Sequence, residues 1–311
     1  MKKLLISILA VAISFLVIDR IGGCIMNIAF QHSKSVLAPK LCHLAYDAHE
    51  DVILLGTSRC NCHYVPTIIA DSLKMTVYNG GIDGSKNIYS HYMALCYALA
   101  CHKPKVVCLE VMEEDSRQTD DPFEPISRFA PFFGMNSLAD SIYAIAGVAW
   151  KYQLSHLYRH NATSLTTITG LIQAAKESDE KGFYSLKNES GIASSLRLEE
   201  EPEPREVDSL KLACLQRFMD LCKENRVKLV LVASPKYTIA RDAQYGVMKS
   251  LAKKNGIPFL DYHSQGLYHD HPEYFKDIAH LLDEGARLYS SVFASDLKTH
   301  IADTLAAMWV E

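Results

Sequence analysis

Five short, uninterrupted apolar runs punctuate this chain, at positions 51–56, 75–79, 105–111, 228–234 and 258–262. Runs of that length, flanked by glycine, proline or charge, are how strands buried on both faces of a parallel sheet read. Between them lie segments whose apolar residues recur every three or four positions, which predicts helices over 65–73, 87–101, 209–225, 238–255 and 283–308. Residues 26–49 read as a helical or irregular lead-in. Strands separated by helices imply an α/β domain with one parallel sheet and helices on both faces. The alternation stops at Glu113 and resumes after Arg205. This stretch carries an acidic segment (113–121), helical patterns near 137–160 and a charged, proline-bearing run (199–205) that reads as an exposed linker. It is too long for a plain connection, so 113–205 is predicted to be an insertion or cap after the third strand. Such an insertion could cover the carboxyl ends of the strands, where sheets of this kind bind ligands.

The first residues follow a different rule. Lys2 and Lys3 precede an apolar run from Leu4 to Ile18 that ends at Asp19 and Arg20. At about 15 residues the run is a little short of the ~20 that span a bilayer, and it reads as a signal peptide or an uncleaved anchor. No small-x-small cleavage pattern follows it, which favours the anchor. Ile21-Gly22-Gly23-Cys24 is a weak lipoprotein-like box with charges directly before it. An apolar surface all round the helix argues against a buried core helix. Paired lysines stay on the cytoplasmic side, which places the rest of the chain outside. The expected organisation is an anchor or signal peptide over 1–25 and one α/β domain over 26–311.

A hydrophobic share of 49% lets a chain of 311 residues build its core without metals or staples. A net charge of -4 and the lack of a basic stripe exclude nucleic-acid binding as a leading class. The nine cysteines are an odd set with no pair of CxxC motifs, which speaks against a structural zinc site. Cys60 and Cys62 are the cluster that an oxidising compartment would permit to bridge. His269 and His271 flank Asp270 but lack a third spaced ligand, so no metal is expected. The first turn carries no GxGxxG pattern, which ranks a nucleotide or flavin domain low, and no cofactor is expected.

Candidate chemistry begins at Gly56-Thr57-Ser58-Arg59, where the first strand gives way to a helix. A serine there lies at the carboxyl edge of the sheet, with its N–H at a helix start that favours developing negative charge. On its own such a serine is most often a helix cap. Asp277 and His280, three residues apart before the last helix, supply what a serine hydroxyl needs: a base, and a carboxylate to orient it. Alone, that pair equals a surface Asp and His beside a helix start. The glycine turn from Asn79 to Gly84 opens on the same crevice, and its N–H groups with that of Ser58 could form an oxyanion hole. Arg59 and Asn79 are candidate substrate contacts, although an arginine more often pairs with an acidic neighbour. Segments 158–161 and 181–184 of the insertion are read as structural.

Together the three blocks resemble the SGNH/GDSL hydrolase family in order, spacing and the strand ends they occupy. Gly56-Thr57-Ser58 looks like its nucleophile motif, with Thr where Asp is usual. Asn79-Gly80-Gly81-Ile82-Asp83-Gly84 looks like its second block, which implies Gly84 as an oxyanion donor. Asp277-Ile278-Ala279-His280-Leu281 looks like its last block, implying His280 as base and Asp277 as its partner. The family's asparagine after the third strand is missing, since that place reads Val111-Met112-Glu113-Glu114-Asp115. The resemblance covers about 51–111 and 227–296. It implies a three-layer, doubly wound, flavodoxin-like five-stranded sheet.

The likeness is closer to a membrane-anchored branch resembling the D-alanyl transfer protein of lipoteichoic acid synthesis and alginate O-acetyltransferases. It implies an extracytoplasmic serine-dependent hydrolase or O-acyltransferase, periplasmic or at the cell surface. Its partners would be an acylated small molecule or envelope glycan, the membrane, and a membrane acyltransferase. The alternative is a degenerate domain that binds a glycan or assists such an acyltransferase.

Overall fold

The structure is a computed structural model, and it describes residues 1–172, 181–187 and 196–302. Among the described residues seven strands form: β1 (Val52–Leu55), β2 (Val77–Asn79), β3 (Val106–Glu110), β4 (Glu199–Glu200), β5 (Lys228–Ala233), β6 (Thr238–Ile239) and β7 (Phe259–Asp261). Five of them make one all-parallel sheet in the order β2-β1-β3-β5-β7, with Leu54 level with Cys108 and Cys108 level with Val230. The fold is therefore the doubly wound α/β sheet that the apolar runs predict.

Alternate residues of each strand feed two separate cores, which is why the runs are apolar throughout. Ile53, Leu55, Val107, Leu109 and Leu231 face one side. There they meet α5 (Ile88–Cys101), α9 (Ser209–Glu224) and α10 (Gly246–Lys254). Val52, Leu54, Cys108 and Val230 face the other side, against α4 (Pro66–Leu73) and α11 (Asp283–His300). Polar caps start the helices: Asn87 accepts from Tyr89 N–H, and Asp208 accepts from Leu210 and Lys211 N–H.

One expectation changes and one sharpens. The helix predicted from 238 begins at Gly246, because β-branched Thr238 and Ile239 pair as β6 with β4. The linker is largely exposed, as it reads, but it is docked at its centre. Its Glu201 is buried and accepts from Lys236 and Thr238, and Arg241 reaches Glu200, Glu203 and the Glu201 carbonyl. These partners come from the segment after β5.

The insertion contributes α6 (Ser137–Ile145), α7 (Ala149–Leu154) and α8 (Ser164–Ile172), with 3-10 segments before α6 and one between α7 and α8. Most of it packs on α5 and on the first helix, α1 (Lys2–His32), rather than over the strand ends. Among the described residues 181–187 crosses that edge: Lys181 O accepts from Asn79 N–H, Tyr184 N–H donates to Asn61 O, and Phe183 is buried in the second core, while Arg128 reaches Asp83 O beside Gly84. Helix α1 is long and apolar enough to cross a membrane, a test that a signal sequence also passes. It runs to His32, past the expected boundary at 25, and α2 (Leu37–Cys42) follows it.

Candidate active site

Ser58 is the first residue of α3 (Ser58–His63), so its N–H lies outside the helix's own ladder. Every later residue of α3 is buried. Asn79 pins this helix: its carboxamide donates to Cys60 O (2.7 Å) and Tyr64 O (2.9 Å) and accepts from Gly81 N–H (2.9 Å). The turn presses so closely that a Cβ on Gly81 would lie 2.4 Å from Asn61 N. Buried Lys40 donates to Gly81 O (2.7 Å) and to Asn61 Oδ1, while Asn61 donates to Asp83 Oδ1 (2.7 Å). Burial lowers the Lys40 ammonium to about 8. The expected substrate contact at Asn79 is therefore corrected: its polar atoms are turned inward and hold the turn to the helix.

The base arrives from 222 residues away. Ser58 Oγ lies 2.8 Å from His280 Nε2, and His280 Nδ1 lies 2.9 and 3.0 Å from the two Asp277 oxygens. Asp277 Oδ1 also accepts from the Ala279 and His280 amides, which coils the loop around its own carboxylate. Burial alone would raise the Asp277 carboxyl; the His280 ring and those amides outweigh it and hold it below the ordinary value. A ring that donates from Nδ1 to a carboxylate leaves Nε2 free to take the serine proton. The hydroxyl, imidazole and carboxylate are thus in line.

Behind this line runs a buried chain of bonds that the sequence reading missed. Leu281 N–H donates to His63 Nε2 (2.9 Å), so the His63 proton sits on Nδ1 and goes to Ser234 Oγ (2.8 Å). Ser234 in turn donates to Glu110 Oε1 (2.8 Å), and Glu110 also accepts from Tyr64 and pairs with Arg59 (3.0 Å). Burial, then Arg59 and His280, push His63 well below its ordinary range, which keeps it neutral. Burial raises the Glu110 carboxyl, with Arg59, Tyr64 and Ser234 pulling against it. The chain ties the end of the His280 loop to β3 and β5. Nothing local in Cys62-His63-Tyr64 marks the ring as anything but a helix-end histidine.

Arg59, the other candidate substrate contact, is 2% exposed and takes the acidic-neighbour alternative, with Nη2 on Glu110 (3.0 Å) and on Val111 O (2.7 Å). It still lines a cleft of about 680 Å³ beside the serine turn, with Met112, Glu113, Arg117, Lys236 and Gln244. Gly84 takes a positive φ of 73°, and the Arg128 guanidinium covers it, 2.7 Å from where a Cβ would stand. After the third strand, Met112 Sδ accepts from the Thr57 hydroxyl (3.0 Å) and offers no donor. Asp115 is wholly buried against His91 (3.4 Å); burial lifts its carboxyl to about 7 and lowers His91 to about 3.

All nine cysteines are free thiols, and burial raises those of Cys60 and Cys62. Among the described residues one group, His43, His49 and Glu50, could hold a metal ion. Glu50 already accepts from the His43 ring (3.0 Å) and the His49 amide (3.1 Å), so an ion is not needed to satisfy it.

No family model matches the chain, and neither does any curated protein. Among solved structures it is similar to one from Desulfitobacterium hafniense described as a lipolytic protein of the G-D-S-L family. That match has 12% identity and a TM-score of 0.39, covering 78% of this chain and 97% of the other. It is also similar to one from Bacteroides fragilis described as an acylhydrolase, with 15% identity and a TM-score of 0.41, covering 86% of this chain and 94% of that one. Both likenesses are distant, and the chemistry of the site rests on its own geometry.

Proposed function

We propose that the chain is a serine-dependent acyl-ester hydrolase or O-acyltransferase, held to the outer side of a membrane by α1. One observation carries the reading: Ser58, His280 and Asp277 stand within hydrogen-bond reach in the order that nucleophilic acyl chemistry requires. Ser58 Oγ attacks an ester carbonyl while His280 takes its proton. The tetrahedral adduct collapses to an acyl-enzyme as its C–O bond to the alcohol breaks, and His280 gives that proton to the leaving alcohol. Water or a sugar hydroxyl, deprotonated by His280, then takes the acyl group and frees Ser58. Hydrolysis and transfer share the first half and differ only in the acceptor, for which an envelope glycan suits a domain facing outward. The Ser58 amide at the start of α3 supports the oxyanion, with the Gly84 turn as the second donor.

A fluorophosphonate probe should label the wild-type chain, and Ser58→Ala should abolish labelling. Equal labelling of both would remove Ser58 from the mechanism. A second reading, a degenerate domain that binds a glycan or assists a membrane acyltransferase, is favoured by Met112, which stands where an amide donor is expected. Turnover of p-nitrophenyl acetate that is lost in Ser58→Ala counts against it.

A further inference from the structure

In the sequence, Asp19 and Arg20 close the apolar run and look like the edge of the membrane span. Tertiary structure gives them another task. Asp19 accepts from Ser155 Oγ and from the His156 (2.8 Å) and Leu157 (3.2 Å) amides, and Arg20 donates to Leu154 O (3.3 Å). The acid is spent on the turn after α7 instead of facing outward. The helices meet so tightly here that a Cβ on Gly23 would lie 2.5 Å from His156 Cβ. Farther on, Phe30 packs edge-on against Phe132 (5.8 Å) and Ser33 donates to Thr167 O (3.1 Å). The second half of α1 is thus built into the domain, and no hinge separates anchor from body.

The length of the run sharpens this. Residues 4–18 cover about 22 Å of helix, at roughly 1.5 Å each. The hydrocarbon layer is ~30 Å thick. The shortfall of about 8 Å is about five more residues, which carries the boundary past Asp19 to the level of Gly23. Around the contact of α1 with residues 154–157 stand exposed apolar side chains, Ile21 and Ile25 on α1 and Trp150 (59% exposed), Leu154 (62%) and Leu157 on the insertion, with Gln153 the exposed polar residue among 150–157. Lys151 stands 5.9 Å from the Trp150 ring, an aromatic and a cation of the kind that anchors at headgroup depth. The exposed Leu165 and Ile168 lie farther along α1, on the helix bonded to Ser33, and do not belong to this surface.

We infer that the α7 turn of the insertion, residues 150–157, sits in the lipid leaflet beside α1. The domain is then fixed to the membrane at two places and in one orientation. The occupant of the apolar surface is lipid, because the surface is continuous with the exposed face of the span itself. This rests on the anchor reading of α1.

The chain has two tryptophans, Trp150 and Trp309, so the full-length Trp309→Phe protein reports on Trp150 alone. In phosphatidylcholine nanodiscs its emission should be lost to lipids brominated near the headgroup and protected from aqueous iodide. Quenching by iodide but not by bromolipid, in protein that co-isolates with the discs, overturns the docking and leaves the anchor standing. Shielding from both quenchers overturns it in favour of a protein partner. Failure to co-isolate with the discs removes the anchor and the docking together.

Discussion

Ser58 begins a helix whose next five residues are buried, whereas His280 stands on a loop whose Asp277 is about half exposed. On the serine side the position is over-determined. Asn79, Lys40, Asn61 and Arg59 all spend buried hydrogen bonds on α3, on the turn facing it, or on the strand end beneath it. On the histidine side most of the order is local: Asp277 accepts from amides two and three residues on, and Lys276 N–H donates to His280 O (2.9 Å). Few bonds cross from that loop to the body. Tyr237 N–H donates to Ile278 O (2.9 Å), and Leu281 N–H donates to His63. A rigid nucleophile and a softer base imply that the geometry of the pair is set by whatever holds the loop. His63, which belongs to the serine's own helix, is that link.

The largest effect should come from the rigid side. Arg59→Met would leave Glu110 buried without its cation, and breaking such a pair by removing one partner costs roughly 3–5 kcal/mol. Urea unfolding measures it; a loss under about 1 kcal/mol, the size of an exposed pair, would break the claim that this side is the rigid one. The crossing link should matter less to stability and more to rate. His63→Leu orphans the Leu281 amide, at about 1–3 kcal/mol, while Ser234 keeps its bond to Glu110 and loses only the His63 donor. It should lower kcat while leaving KM near its wild-type value, because the loop carries the base and not the substrate. An unchanged kcat would mean that the loop orders itself.

The smallest effect is that of pH on the loop. The Asp277 carboxyl is held below its ordinary value, so its contribution is present above that value and lost as pH falls through the lower folded one. The stability difference between wild type and Asp277→Asn should therefore be constant near neutral pH and close only below the ordinary carboxylate range. A difference that closes near pH 6 would contradict this sign.

Much of the site was legible because its signals are local. A glycine and a serine after an apolar strand, and an Asp three residues before a His, can be read without knowing where anything packs. Asn79 misled because a polar residue at a strand end looks free until the helix that buries it is in place, whereas Arg59 took the acidic partner that is the commoner fate of an arginine. His63, Glu110 and Ser234 carried no signal at all, since each is ordinary in its own segment. The acidic run at 199–205 is largely exposed, as it reads, but only the fold supplied Lys236 and Thr238 to bury Glu201 within it.

The amino-acid pattern by itself determined the five parallel strands, their two-sided burial and the candidate serine, histidine and aspartate. Each depends on periodicity or spacing within a few residues. Tertiary structure decided that Ser58 and His280 meet, that His63 joins them from behind, and that Asp19 is spent on the turn after α7. Those facts depend on which strands lie side by side and which helices cross. Partners in such contacts are chosen by shape and by the need to satisfy buried polar groups, across separations that no local pattern records.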